Sequence, residues 1–156
     1  MRRKDKEIQD FKEIEEIIGQ ADVCRVALSV DNVPYIVEMN FGYKNDEKPV
    51  LFFHSAREGR KIDIVKHNNN ACFQMSIDHK LEKTEVKCNC SMNYRSVVGT
   101  GTITFVTDRE EKIEALNCIM NHYFPGDEHR FEEMQLEKTA VLRLDADEIS
   151  GKKCIL

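Results

Sequence analysis

Four side chains capable of binding or proton chemistry, His54, Ser55, Arg60 and Lys61, fall within the stretch VLFFHSAREGRKI at 50–62. The apolar run Val50 to Phe53 reads as a buried strand that delivers His54 and Ser55 into a turn. Glu58, Gly59, Arg60 and Lys61 then open a helix continuing as IDIVKH. A helix start presents unpaired backbone N–H groups and the positive end of the aligned peptide dipoles. A hydroxyl, a guanidinium and an ammonium added to that start outline a site for a phosphate-like anion. Neither GxxxxGK[ST] nor GxGxxG occurs, so the familiar nucleotide cradles are not involved. Taken without its context, an Arg-Lys pair in a first helical turn is more commonly a solvated face.

Cys88-Asn89-Cys90 is the one close cysteine pair, and it lacks the second CxxC or His pair that a structural zinc needs. Ordinary thiols beside a loop are the simpler reading. The six cysteines are scattered through strand-like and helix-like segments with no signal peptide ahead of them, which favours reduced thiols over a disulfide framework. Cys154-Ile155-Leu156 is one residue short of a prenylation box.

Composition narrows the partners. The 156 residues suit one domain spanning 1–156, a third of them are charged, and the net charge is −5. That balance argues against nucleic acid or an anionic membrane and for a small anionic ligand at a local basic site. No window approaches a membrane span and no apolar run follows MRRKDKEIQD, so the expected location is cytoplasmic.

Several elements must hold the 50–62 stretch in place. Ile8, Phe11, Ile14, Ile17 and Ile18 predict an amphipathic helix over 5–18 that ends near Gly19. Val23 to Val30 is a strand, and Asp31-Asn32 turns it into a hairpin. Tyr35, Val37, Met39, Phe41 and Tyr43 alternate with more polar residues as one strand, and the polar tip Lys44 to Lys48 returns the chain into 50–55. Antiparallel pairing of those two strands brings Asn40 and Phe41 near His54 and Ser55. After the helix over 58–67, ACFQMSID is a strand and residues 79–92 read as an exposed, mobile loop.

Tyr94 to Thr107 is a long β-branched strand, with Arg95 and Ser96 at its start and Gly99 and Gly101 suggesting a bulge. Asp108 and Glu111 form a box-like helix start, and a short charged piece over 131–136 precedes a last strand ending at Gly151. About six strands, mostly antiparallel, and three main helices predict a mainly β fold, a closed or partly closed barrel decorated by helices.

The segments YIVEMNFGY (35–43), FFHSAREGRKIDIVK (52–66), CNCSMNYRSVVGTG (88–101) and VLRLDADEISGK (141–152) resemble, in order and spacing, the nitroimidazole-resistance group of flavin-binding split-barrel proteins, relatives of pyridoxamine 5'-phosphate oxidase. The opening MRRKDKEI is similar too. This resemblance implies an antiparallel, Greek-key-like split β-barrel that forms a homodimer and binds FMN in two clefts at the subunit interface. Carried over by motif, Ser55, Arg60 and Lys61 would take the FMN phosphate. Met39, Asn40 and Phe41 would line the flavin ring, with Phe53 and His54 on the neighbouring strand. Tyr94, Arg95, Ser96 and Val97 would complete the cleft, and His54 is the position that best matches the family's catalytic histidine. Glu38 stands where relatives usually have proline, Asn69-Asn70 replaces a common Asn-Pro, and Cys90 replaces a frequent aromatic.

The resemblance implies an FMN-dependent reductase passing hydride or electrons to a small planar acceptor, with nitro compounds such as a nitroimidazole as one class and NADH or NADPH as one donor. His54 then either donates a proton to the acceptor or bonds phosphate or backbone. Arg95 is either a flavin contact or a structural ion pair, and Tyr43 and Tyr94 read chiefly as packing residues. Two rival readings keep the same barrel: a binding protein without turnover holding haem, another flavin or a pyridoxal species, or a dimeric scaffold with an empty cleft.

Overall fold

A computed structural model describes residues 3–45 and 47–155; Met1, Arg2, Leu156 and Asp46, at the tip of the turn Lys44–Lys48, lie outside the described residues. The elements, in order, are β1 (Glu7–Ile8), α1 (Phe11–Gln20), β2 (Cys24–Val30), β3 (Val33–Met39), β4 (Phe41–Asn45), β5 (Pro49–Ala56), α2 (Arg60–His67), β6 (Asn70–Glu82), β7 (Ser91–Phe105), α3 (Arg109–Tyr123), α4 (Glu133–Lys138) and β8 (Thr139–Cys154). The strands form one antiparallel sheet in the order β3-β2-β6-β7-β8-β5-β4, with β1 added against the end of β8. Expectation and structure agree on a mainly β, antiparallel architecture.

The two ends of that path, β3 and β4, are separated in sequence by Asn40 alone. Two peptide units span at most about 7 Å, so the sheet has to curl until the end of β3 meets the start of β4. The sheet stays open there: β3 and β4 are joined by the chain itself and not by a hydrogen-bonded ladder. A bulge helps the curl: Thr100 faces Glu148 while Gly101 faces Ala146, leaving Asp147 as an extra residue in β8. A Cβ on Gly101 would stand 2.1 Å from the Asp145 carbonyl oxygen, so this position admits only glycine without a shift.

Inward residues of the strands, among them Val26, Phe41, Phe53, Phe73, Met75, Val97, Leu142 and Leu144, fill the interior. Ile14, Ile17 and Ile18 of α1 and Ile62, Ile64 and Val65 of α2 pack into the same cluster. Each such side chain contributes about 1.5–3 kcal/mol by leaving water. A second cluster forms outside the barrel, where Ala115, Leu116 and Ile119 of α3 and Leu136 of α4 cover Val50 and Phe52 of β5 and Val141 of β8.

Four expectations need correction. The first helix begins at Phe11, because Asp10 caps it by accepting from the Lys12 N–H, and Glu7–Ile8 are drawn into strand pairing with Lys152 and Gly151. The run 35–43 is two strands with different neighbours. Residues 83–90 are the expected exposed loop, but both of its flanks are strand, with Lys80 opposite Asn93, Leu81 opposite Met92 and Glu82 opposite Ser91 beyond an irregularity at Asp78, whose φ is +59°. Among the described residues the sheet has eight strands rather than six, because 35–43 is divided and β1 is added. The Asp31-Asn32 hairpin is as expected, both residues having positive φ, 51° and 60°, as a type I′ turn requires.

Candidate cofactor-binding site

Strand alternation splits the predicted cluster between two faces. On β5, Phe53 faces inward opposite Leu142, His54 faces outward and is exposed opposite Val141, and Ser55 faces inward again opposite Ala140. The residue Ser55 is 8% exposed, and its Oγ is buried with no hydrogen-bond partner among the described residues. Leaving such an oxygen unpaired costs about 1–3 kcal/mol, so it marks a group waiting for a partner. The Oγ is sealed from water.

Three residues after β5 ends, α2 begins at Arg60 behind Gly59, whose φ of +120° suits glycine, and no side chain caps the helix. The Arg60 guanidinium lies over the Tyr35 ring, 4.8 Å from its centroid. Arg60 also lines a groove of about 800 Å³ with the β2–β3 turn (Ser29 to Asn32) and with His67 and Asn68. Among the described residues neither Arg60 nor Lys61 has a carboxylate partner, and Asp63 is turned to Lys66 at 3.7 Å. An uncapped helix start, two free cations and an orphaned hydroxyl suit an anionic ester.

The remaining predicted residues are dispersed. Met39, Phe41, Phe53 and Val97 put their side chains in the core, and Phe53 and Val97 lie in strands paired on both sides. Asn40 is exposed at the crossover, and the β4–β5 register, Phe41 opposite Phe53, brings it to the same end as His54. Tyr94 is half-buried with Lys152 Nζ 5.7 Å from its ring centroid, and Ser96 Oγ donates to the Lys152 carbonyl at 3.4 Å. Arg95 is committed elsewhere: its side chain, 15% exposed, donates to Asp78 at 2.6 Å and Gln20 at 3.3 Å and pairs with Glu16 at 3.2 Å. The hydrogen bond to Asp78 raises its pKa above the usual arginine value.

Ser96 sits opposite Ser76, six residues along β6 from Asn70 just after α2, or roughly 20 Å of strand. Among the described residues, the side-chain hydrogen bonds, ion pairs and ring contacts of Tyr94, Arg95 and Ser96 run to Lys152, Asp78, Glu16 and Gln20 and not to Ser55, Arg60 or Lys61. Sequence reasoning missed Tyr35 as the partner of Arg60 and Asp78, Glu16 and Gln20 as partners of Arg95, since those contacts are long-range and carry no local pattern. A separate groove of about 960 Å³, between α3 and strands β4, β5 and β8, contains none of the predicted site residues.

A family model for pyridoxamine 5'-phosphate oxidase matches residues 10–153. The chain belongs to the pyridoxamine 5'-phosphate oxidase family. A similar solved structure within reach of this family member is a Bacteroides thetaiotaomicron protein carrying the provisional description of a 5-nitroimidazole antibiotic resistance protein. It is 38% identical, with a TM-score of 0.83 over 94% of this chain and 86% of that one. The flavocytochrome Anf3 of Azotobacter vinelandii (21% identity, TM-score 0.83, 100% of this chain and 72% of that one) shares the fold. So does the FAD and heme binding protein of Mycobacterium smegmatis (18%, TM-score 0.81, 95% and 73%). No curated protein sequence matches the chain. The helices leave part of the sheet's outward face bare. α3 and α4 pack on β4, β5 and β8, while the outward face of β2, β3, β6 and β7 carries Ala27, Ile36, Cys72 and Val98, with Ile36 66% and Val98 41% exposed. All six cysteines are free thiols, and no helix among the described residues is long and apolar enough to cross a membrane.

Proposed function

We propose that this chain binds FMN as a homodimer and reduces a small planar acceptor, with nitroaromatic compounds such as nitroimidazoles as a substrate class. The observation that carries the proposal is the α2 corner, where among the described residues Arg60 and Lys61 stand without carboxylate partners at an uncapped helix start, and the strand that leads into it carries the unpartnered Ser55 Oγ. Arg60 and Lys61 hold the phosphate there. The backbone of Met39, Asn40 and Phe41 and the nearby Phe53 and His54 flank the ring. When bound, the flavin supplies hydride or electron transfer from a donor such as NADH or NADPH to the acceptor. The exposed His54 imidazole holds or delivers a proton at the acceptor.

That Tyr94, Arg95 and Ser96 make their side-chain contacts with Lys152, Asp78, Glu16 and Gln20, away from Ser55, Arg60 and Lys61, supports a site completed by a second copy of the chain. The bare face bearing Ile36 and Val98 is the surface offered for that contact. The 38% identity to a structure described as a nitroimidazole resistance protein supports the acceptor class. Purified protein should be yellow, and its flavin absorbance should bleach on anaerobic addition of NADH or NADPH and recover on addition of a nitroimidazole. A bound flavin inert to both would contradict the reductase. A Soret band in place of flavin absorbance would contradict the cofactor.

A further inference from the structure

Strand β4 ends the sheet, so one edge of it has no strand neighbour, and that edge meets the last two turns of α3 instead. The Phe41 N–H donates to Tyr123 Oη at 3.2 Å, and the Cys118 thiol donates to the Tyr43 carbonyl at 3.4 Å. Between them Gly42 admits the helix backbone. A Cβ at Gly42 would stand 2.6 Å from both the Cys118 carbonyl carbon and the Ile119 nitrogen. Three successive residues of the free edge are thus occupied by a helix where a barrel would ordinarily place another strand.

The same end of α3 reaches across the split. The Tyr123 hydroxyl donates to the Asp22 carbonyl at 2.8 Å, and His122 Nε2–H donates to the Ala21 carbonyl at 2.9 Å, with its ring 4.4 Å from that of Phe41. Ala21 and Asp22 lead into β2, whose first residue, Cys24, pairs with Met39, the last residue of β3. Tyr123 therefore bonds one side of the seam through Asp22 and the other through Phe41, with Asn40 as the covalent link between them.

We infer that Tyr123, supported by His122, is a positioning residue that latches the Met39–Asn40–Phe41 crossover and so fixes the backbone offered to the cofactor ring. The inference rests on the FMN reading above for what the crossover serves, while the latch itself is a property of the apoprotein. A tyrosine hydroxyl bridging an N–H donor and a C=O acceptor holds two backbone segments at one spacing. A phenylalanine ring in its place leaves both groups without that bridge.

The test compares Tyr123→Phe with Tyr43→Phe, a control on the same strand that loses one tyrosine hydrogen bond, to Glu15, away from the crossover. Amide hydrogen exchange of the peptide covering 39–43 is read in the absence of flavin, and FMN affinity and the visible circular dichroism of bound FMN are read separately. Tyr123→Phe should speed exchange at the Phe41 amide about tenfold or more, weaken FMN binding about tenfold and change the dichroism, while Tyr43→Phe leaves all three near wild type. Unchanged exchange at Phe41 would overturn the latch. Faster exchange with unaltered FMN affinity and dichroism would overturn the positioning role, as would equal effects of the two variants. Wild-type protein that binds no FMN would instead remove the function proposed above, and the exchange result would then describe a seam with no cofactor to position.

Discussion

The guanidinium of Arg60 rests over the ring of Tyr35, 4.8 Å from its centroid, so the first residue of α2 is held by a side chain of β3. The contact orients the cation without neutralising it, which a carboxylate partner would have done. Cation–π contacts at exposed sites are worth about 0.5–1 kcal/mol. Tyr35→Leu should therefore raise the dissociation constant for FMN about two- to fivefold in a fluorescence titration. A variant that binds as tightly as wild type would show that the stack plays no part in binding.

Gly42 is the point at which α3 touches β4, and alanine there has no room, since the neighbouring atoms belong to helix backbone rather than to a flexible side chain. Overpacking of this kind costs about 1–3 kcal/mol. Thermal unfolding of Gly42→Ala should show a Tm several degrees below wild type. An unchanged Tm would mean that α3 can shift without loss.

Arg143 donates to Asp145 through two nitrogens, at 2.8 and 2.9 Å, and pairs with Glu111 at 3.2 Å. The Arg143 hydrogen bond holds the Asp145 carboxyl below its ordinary value of 3.8. A depressed carboxylate favours the folded state above its unfolded pKa, and that contribution is lost as pH falls through the folded value. The Tm of Asp145→Asn should lie below wild type at neutral pH, and the gap should close as pH drops below 3.8. A gap that persists in acid would assign the effect to packing.

Much of this was legible in the chain. The 50–62 stretch announced a strand, a turn and a helix start because each step has local chemistry: an apolar run, a glycine and a first-turn cation pair. The Asp31-Asn32 turn and the Gly101 bulge were readable for the same reason. The break at Asn40 was not, since the inward alternation of Tyr35, Val37, Met39, Phe41 and Tyr43 continues straight across it while the pairing partner changes. The short ladder of 80–82 with 91–93 that flanks the 83–90 loop was hidden because it needs no apolar face. Glu7–Ile8 was hidden because a helical spacing of isoleucines outweighed a two-residue strand. The fate of Arg95 depended on Asp78, Glu16 and Gln20, which are scattered in sequence and meet only through the fold.

The most direct measurement is an equilibrium titration of apoprotein with FMN, run in parallel on wild type and the double variant Arg60→Ala, Lys61→Ala. Each lost charge-assisted phosphate contact should weaken binding by about 1.5–3 kcal/mol, roughly ten- to a hundredfold or somewhat more, so the double variant should bind far more weakly while remaining folded. Equal affinity in the two proteins, or no FMN binding by wild type, would contradict the assignment of a phosphate to the start of α2.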